Sequence, residues 1–285
     1  MGLDAGLLYT TDRLSADELT TFARDAETAG IESLWLPEVS GRDPFALAGH
    51  LFAHTDGLRV ATGIANVYAR DPGAMRAGAA TLAELSGGRF MLGLGVSNPG
   101  INAARGNPVW EAPLTKMRGY LEAMDALHMT LPETSYPRYV AAHAQGLMAV
   151  ARDHADGAHT YLMTAEHTRW ARARLGAALA LSPVMFVLVE TDPDAARGLI
   201  RRAIAYYMQL DYYHRAWQSL GFGREDFLDG GSDRLIDAVA AWGSLGDVRA
   251  RLSAQVEAGA NRVIVIPLNA DLGIPDWGLV REIVS

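Results

Sequence analysis

Eight histidines and no cysteine bound the side-chain chemistry open to this chain. Without a thiol there is no disulfide, no thiolate metal site and no cysteine nucleophile. His50 and His54 stand four apart, which places both on one face of a helix. No HExxH glutamate and no third ligand accompany them, so no metal site is expected. His154 and His159 straddle a turn. No G-x-S-x-G elbow or Ser-x-x-Lys pair is present to activate a serine. What remains is a set of polar or special residues closing short apolar runs: Tyr9, Thr10, Glu38, Gly63, Asn66, Ser97, Asn98, His143, Tyr161, Glu190 and Asn269. Such residues bind and orient a ligand.

The runs they close read as strands over 6–10, 33–38, 59–67, 89–97, 139–143, 158–163, 184–190 and 262–268. Stretches such as VMFVLV and RVIVIPL read as continuous apolar runs but for the leading Arg262, as suits strands buried on both faces of a parallel sheet. Helices lie between them with legible ends. Ser15 with Glu18 forms a capping box closed by Gly30; Asp71 caps a helix that Pro72 opens; Ser244 with Asp247 repeats the box before Gly259. Eight strands alternating with helices predict a (β/α)8 barrel in a single domain over residues 1–285, with a helical insertion at about 191–245 between strands seven and eight. Barrel chemistry sits at the C-terminal strand ends, where the polar residues fall. A doubly wound sheet is disfavoured, because Gly93 and Gly95 are followed by Asn98 where the dinucleotide fingerprint needs a third glycine.

The net charge of −8 argues against nucleic acid as a partner. Of 25 basic residues only Lys116 is a lysine; the arginines permit an anionic ligand without requiring one. The longest uncharged runs are too short for a bilayer, and the first residues lack the basic and apolar regions of a secretory signal. A cytoplasmic protein without a membrane partner is expected.

Two strings go beyond generic patterning: ATGIANVYARDP (61–72) and LAELSGGRFMLGLGVSN (82–98). With ETAGIESLWLPE (27–38) before and DGAHTYLMTAEHT (156–168) after, the chain resembles the luciferase-like monooxygenase superfamily, and within it the oxidoreductases dependent on coenzyme F420, a deazaflavin. The resemblance implies a cofactor across the C-terminal face of the barrel and hydride transfer to or from a small organic substrate. It also implies a non-proline cis peptide at the third strand's end, matched here by Gly63 and Ile64, and cofactor contacts at Glu38, Asn66, Ser97 and Asn98. Homodimerisation through barrel-side helices is a further expectation from the relatives. On the residues alone, Glu38 reads equally as a paired rim acid, Ser97 and Asn98 as turn residues, and Asp71 as a cap and nothing more.

The chain departs from the family pattern twice. Val39 stands where many members carry an acid/base histidine, so no catalytic residue carries over. The phosphate loop, A-x-G-P-x-M in relatives, is AAHAQGLM here (141–148), with Gln145 at the glycine position and Gly146 at the proline. Gln145 either donates to a phosphate or fills its place, and His143 joins the same rim as a cofactor contact or a structural histidine. Trp35, Phe45, Trp110, Tyr161 and Tyr212 are candidates for pocket or lid. Two rivals stay open: an FMN-dependent monooxygenase of the same superfamily, and a barrel that binds or interacts without catalysis.

Overall fold

The computed structural model describes residues 4–132 and 134–285; residues 1–3, part of the start read for a targeting signal, lie outside them. The strands are β1 (Ala5–Leu8), β2 (Ser33–Leu36), β3 (Arg59–Thr62), β4 (Ala65–Asn66), β5 (Phe90–Gly95), β6 (Arg138–Ala141), β7 (Gly157–Tyr161), β8 (Ala180–Val189), β9 (Ala240–Gly243) and β10 (Val263–Pro267). β1, β2, β3, β5, β6, β7, β8 and β10 pair in that order, all parallel, and β10 returns to β1. The sheet is a closed eight-stranded barrel ringed by helices, the (β/α)8 architecture.

The interior explains the closure. Leu8, Trp35, Ala61, Met91, Tyr139, Val184 and Ile264, each from a different strand, form one buried cluster. His159 of β7 completes the layer, stacked on Trp35 at 5.0 Å and 6°. Trp35 is fully buried, so its indole N–H needs an acceptor, and it donates to Ser33 Oγ at 3.0 Å. Gly6 makes room for that ring: a Cβ there would lie 2.9 Å from the indole nitrogen. At the N-terminal end, Arg262 holds Asp4 in a fork of 2.6 and 2.9 Å and ties β10 to β1.

The expected helix ends are present. Ser15 and Glu18 make a reciprocal box before Ala16–Thr28, Asp71 caps Pro72–Leu85, and Ser244 with Asp247 caps Leu245–Glu257. Among the described residues, no helix is long and apolar enough to cross a membrane.

Strand ends shift by a few residues throughout, and three larger features differ from the sequence reading. The third strand is not continuous over 59–67 but breaks into β3 and β4. β8 begins four residues early and carries Pro183 inside it; the ring removes one donor yet leaves the pairing of Thr160 with Pro183 intact. The insertion is not wholly helical. Its helices, Pro193–Ile204, Asp211–Gln218 and Asp233–Val239, lead into β9, which pairs with β8 at Phe186 to Val189, beyond the end of β7. The sequence of β9, AAWG, lacks the β-branched run that announces a strand; the free edge of β8 recruits it.

Candidate active site

The C-terminal ends of β2, β3 and β5 are knit into one framework. The Gly63-Ile64 peptide bond is cis, at the break between β3 and β4. Around it, Gly63 N donates to Leu36 O at 2.8 Å and Glu38 N donates to Ile64 O at 3.3 Å. The Glu38 carboxylate, 5% exposed as a residue, accepts from the backbone N–H of Asn66 at 2.9 Å. Arg70 donates to both its oxygens at 2.8 Å, and Arg105 to one at 3.1 Å. Two guanidinium groups and an amide therefore compensate a carboxylate that burial alone would make costly. Asn66 is fully buried; its side chain donates to Asn102 Oδ1 at 2.7 Å and accepts from Tyr68 N at 3.0 Å. The polar atoms of Glu38 and the side chain of Asn66 are thus engaged inside the protein.

The ends of β5 and β7 carry a second signature. Ser97 has φ 57° and Leu162 φ 56°, both left-handed and neither glycine. Such backbone costs about 1–3 kcal/mol per residue and concentrates where function demands a geometry. Beside Ser97, buried Asn98 caps the helix Pro99–Ala104 through Ile101 N at 3.0 Å. Its amide donates to Tyr206 Oη at 2.9 Å.

Past β6, the helix Gln145–His154 starts at Ala144, which offers no side-chain cap, so its first N–H groups point outward without a side-chain acceptor. Gln145 is exposed at this start. Gly146 lies against Leu114, whose methyls would be 3.3 Å from a Cβ. His143 is half-buried, with Nδ1 unpartnered and its carbonyl accepting from His167 Nε2 at 2.9 Å. Burial, with His167 and His159 nearby, pushes its pKa down to about 3, so the ring is neutral near pH 7.

The insertion supplies residues that strand-end reasoning missed. Residues 206–213 cross the ends of β5, β6 and β7, bringing Tyr206 to Asn98, Tyr207 to Tyr161 and Tyr213 to His143. Trp217 fixes the segment by donating to Leu162 O at 2.9 Å. The doublets Tyr206 with Tyr207 and Tyr212 with Tyr213 were the available signal. Of the expected aromatics, Tyr161 and Tyr212 belong to this cluster. Trp35 is barrel core, Phe45 lies under the Arg70 guanidinium at 4.6 Å, and Trp110 stacks on Tyr68 at 5.5 Å. Two open pockets lie off the mouth. One of about 560 Å³ sits on the flank beside Arg70, Lys116 and Tyr120, and one of about 720 Å³ lies at the N-terminal end beside Arg138 and Asp156. Among the described residues, no group of three or more His, Asp or Glu could hold a metal ion.

A closed barrel with this rim defines a class of protein, and the sequence profile of one family, luciferase-like monooxygenase, matches residues 3–262. The chain belongs to that family. It is 24% identical over 294 residues to a 5,10-methylenetetrahydromethanopterin reductase of Methanolobus tindarius, covering 87% of this chain and 89% of that one. Among solved structures, the coenzyme F420 dependent tetrahydromethanopterin reductase of Methanopyrus kandleri superposes with a TM-score of 0.76 at 16% identity, over 99% of this chain and 97% of that one. The oxygenating constituent of 3,6-diketocamphane monooxygenase from Pseudomonas putida, in complex with FMN, superposes with a TM-score of 0.69 at 16% identity, over 99% and 96%. An enzyme of the luciferase-like oxidoreductase class, with a flavin-type cofactor, is the coarse reading these relatives support.

Proposed function

We propose that this chain is an oxidoreductase that uses coenzyme F420 for hydride transfer to or from a small organic substrate. The uncapped start of Gln145–His154 carries this reading, because N–H groups at a helix N-terminus with no side-chain acceptor suit the cofactor's phosphate. When bound, the deazaflavin supplies a ring carbon that gives or takes a hydride. Half-buried Gly63, Ile64, Ser97 and His143 present the surface against which the ring lies, and Gln145 and Gly146 receive its phosphate. Glu38, Asn66 and Asn98 act one step back: they hold the β3–β4 turn and the helix that follows β5. A single domain, working as a homodimer on a small-molecule substrate, belongs to the same reading.

The test is a fluorescence titration of the folded protein with oxidised F420 and, separately, FMN. Saturable F420 binding with weak FMN binding is the expected result. Tight FMN binding with weak F420 binding would move the assignment to a flavin monooxygenase, and binding of neither would overturn the cofactor assignment.

A further inference from the structure

The half of the mouth over β5, β6 and β7 is built of phenols. Tyr161 and Tyr207 lie 5.0 Å apart between centroids, Tyr206 and Tyr207 5.7 Å, Tyr207 and Tyr213 5.4 Å, and Tyr212 and Tyr213 4.8 Å. Burial raises the pKa of Tyr161, Tyr207, Tyr212 and Tyr213, and no charged side chain is among the groups acting on them. These hydroxyls stay protonated at any pH the protein meets. Neighbouring His143 is neutral as well.

The insertion's cations do not act on these hydroxyls: Arg202 and Arg215 are exposed and neither is among the groups acting on the four tyrosines, and others are paired. Arg197 pairs with Asp233 and Asp237, Arg201 with Asp233, Arg234 with Asp226, and Arg105 with Glu38. An anionic group lodged among these rings would have no charged side chain of the cluster as its partner, and burying an unpaired carboxylate or phosphate is prohibitive. Hydrogen bonding points the same way. Tyr207 donates to Tyr161 at 3.0 Å, which spends one of the pair's two protons; the other has no acceptor among the described residues. An O–H donor left over among stacked aromatic rings suits an uncharged acceptor atom on a flat molecule.

We propose that this mouth takes an uncharged, flat carbonyl compound, its oxygen bonded by the free hydroxyl proton of the Tyr161 and Tyr207 pair and its face against the tyrosine rings. The proposal rests on the mouth being the reaction site, as in the proposed function.

The test compares acetophenone, benzoate and α-methylstyrene, the last replacing the carbonyl oxygen by CH₂, as probes. Binding is followed by saturation-transfer NMR with the full chain, with and without F420. Acetophenone is expected to bind at least about tenfold more tightly than benzoate. Each single variant, Tyr161→Phe or Tyr207→Phe, keeps one free hydroxyl proton and should retain acetophenone, whereas the double variant should weaken it about tenfold and leave α-methylstyrene unchanged. Benzoate binding as tightly as acetophenone, no acetophenone binding at millimolar concentration, or equal loss of both neutral probes in the double variant each overturns the proposal. F420 is titrated in the same samples. Failure of F420 to bind while the probe preference persists refutes the cofactor and not the substrate class.

Discussion

Glu38 and Asn66 clasp the β3–β4 turn from both sides: the Glu38 amide donates to Ile64 O, and the Glu38 carboxylate accepts from Asn66 N at 2.9 Å. The carboxylate is also the common partner of Arg70 and Arg105, so one side chain ties the ends of β2 and β4 to the helix after β5. Truncating such a buried acid takes a partner from two guanidinium groups, leaving Arg70 only Asp43 and Arg105 only the Val39 carbonyl. Glu38→Ala should cost about 3–5 kcal/mol, reduced by the partial exposure of both arginines. Glu38→Gln, which keeps the shape, should cost about 1–3 kcal/mol. Urea denaturation measures both, and a change below about 0.5 kcal/mol in the alanine variant would rule out this role.

Gly95 is set by a neighbouring side chain and not by its own backbone. A Cβ there would lie 2.6 Å from Cγ1 and 2.7 Å from Cδ1 of Ile64. Gly95→Ala must therefore push Ile64 out of its place on the rim, with an overpacking cost of about 1–3 kcal/mol. In the F420 titration the variant should bind more weakly than wild type. Unchanged stability together with unchanged affinity would show that Ile64 yields freely.

The barrel was legible in the sequence because its signals are local. Uniformly apolar strands and capped helices such as Ser15 with Glu18 announce themselves within a few residues. Glu38 was legible as a strand-end acid, but not its partners, because Arg70 and Arg105 reach it only after the chain has folded. Likewise, nothing near Tyr206 announces Asn98, which lies 108 residues away and is joined to it by one hydrogen bond. β9 stayed hidden for the same reason: an edge more than 50 residues earlier in the chain makes Ala240–Gly243 a strand. Polar clusters assembled from distant elements leave no periodicity to read.

His159 makes stability depend on pH in a defined direction. Its ring is buried against Trp35, Nδ1 has no partner, and burial pushes its pKa down from 6.5 to about 4. Between those values the unfolded chain binds a proton that the folded chain refuses, so stability is full above the unfolded value and is lost as pH falls toward 4. The loss from this one group is about 2 kcal/mol between pH 7 and pH 5. His143 and His167, lowered for the same main reason, act in the same direction. His159→Phe keeps an aromatic ring against Trp35 and removes the titration. Denaturation midpoints across this range should fall less steeply for the variant than for wild type, and parallel curves would show that His159 does not refuse the proton.

Gln145 offers a charge test of the phosphate reading that leaves the fold alone. It is exposed at the start of a helix with no side-chain cap, so a carboxylate there meets the positive end of the helix dipole. Gln145→Glu should leave stability unchanged or raise it by about 0.3–1 kcal/mol. The same carboxylate would repel a phosphate placed over those N–H groups, and F420 affinity should fall about tenfold, the effect shrinking at high salt. Gln145→Ala, which removes bulk without adding charge, should bind at least as tightly as wild type. If the glutamate variant gains stability and still binds F420 as wild type does, the helix start is not where the phosphate lies. If instead the alanine variant loses affinity as the glutamate variant does, the glutamine side chain itself is a donor to the phosphate, and the amide ends of the helix are secondary to it.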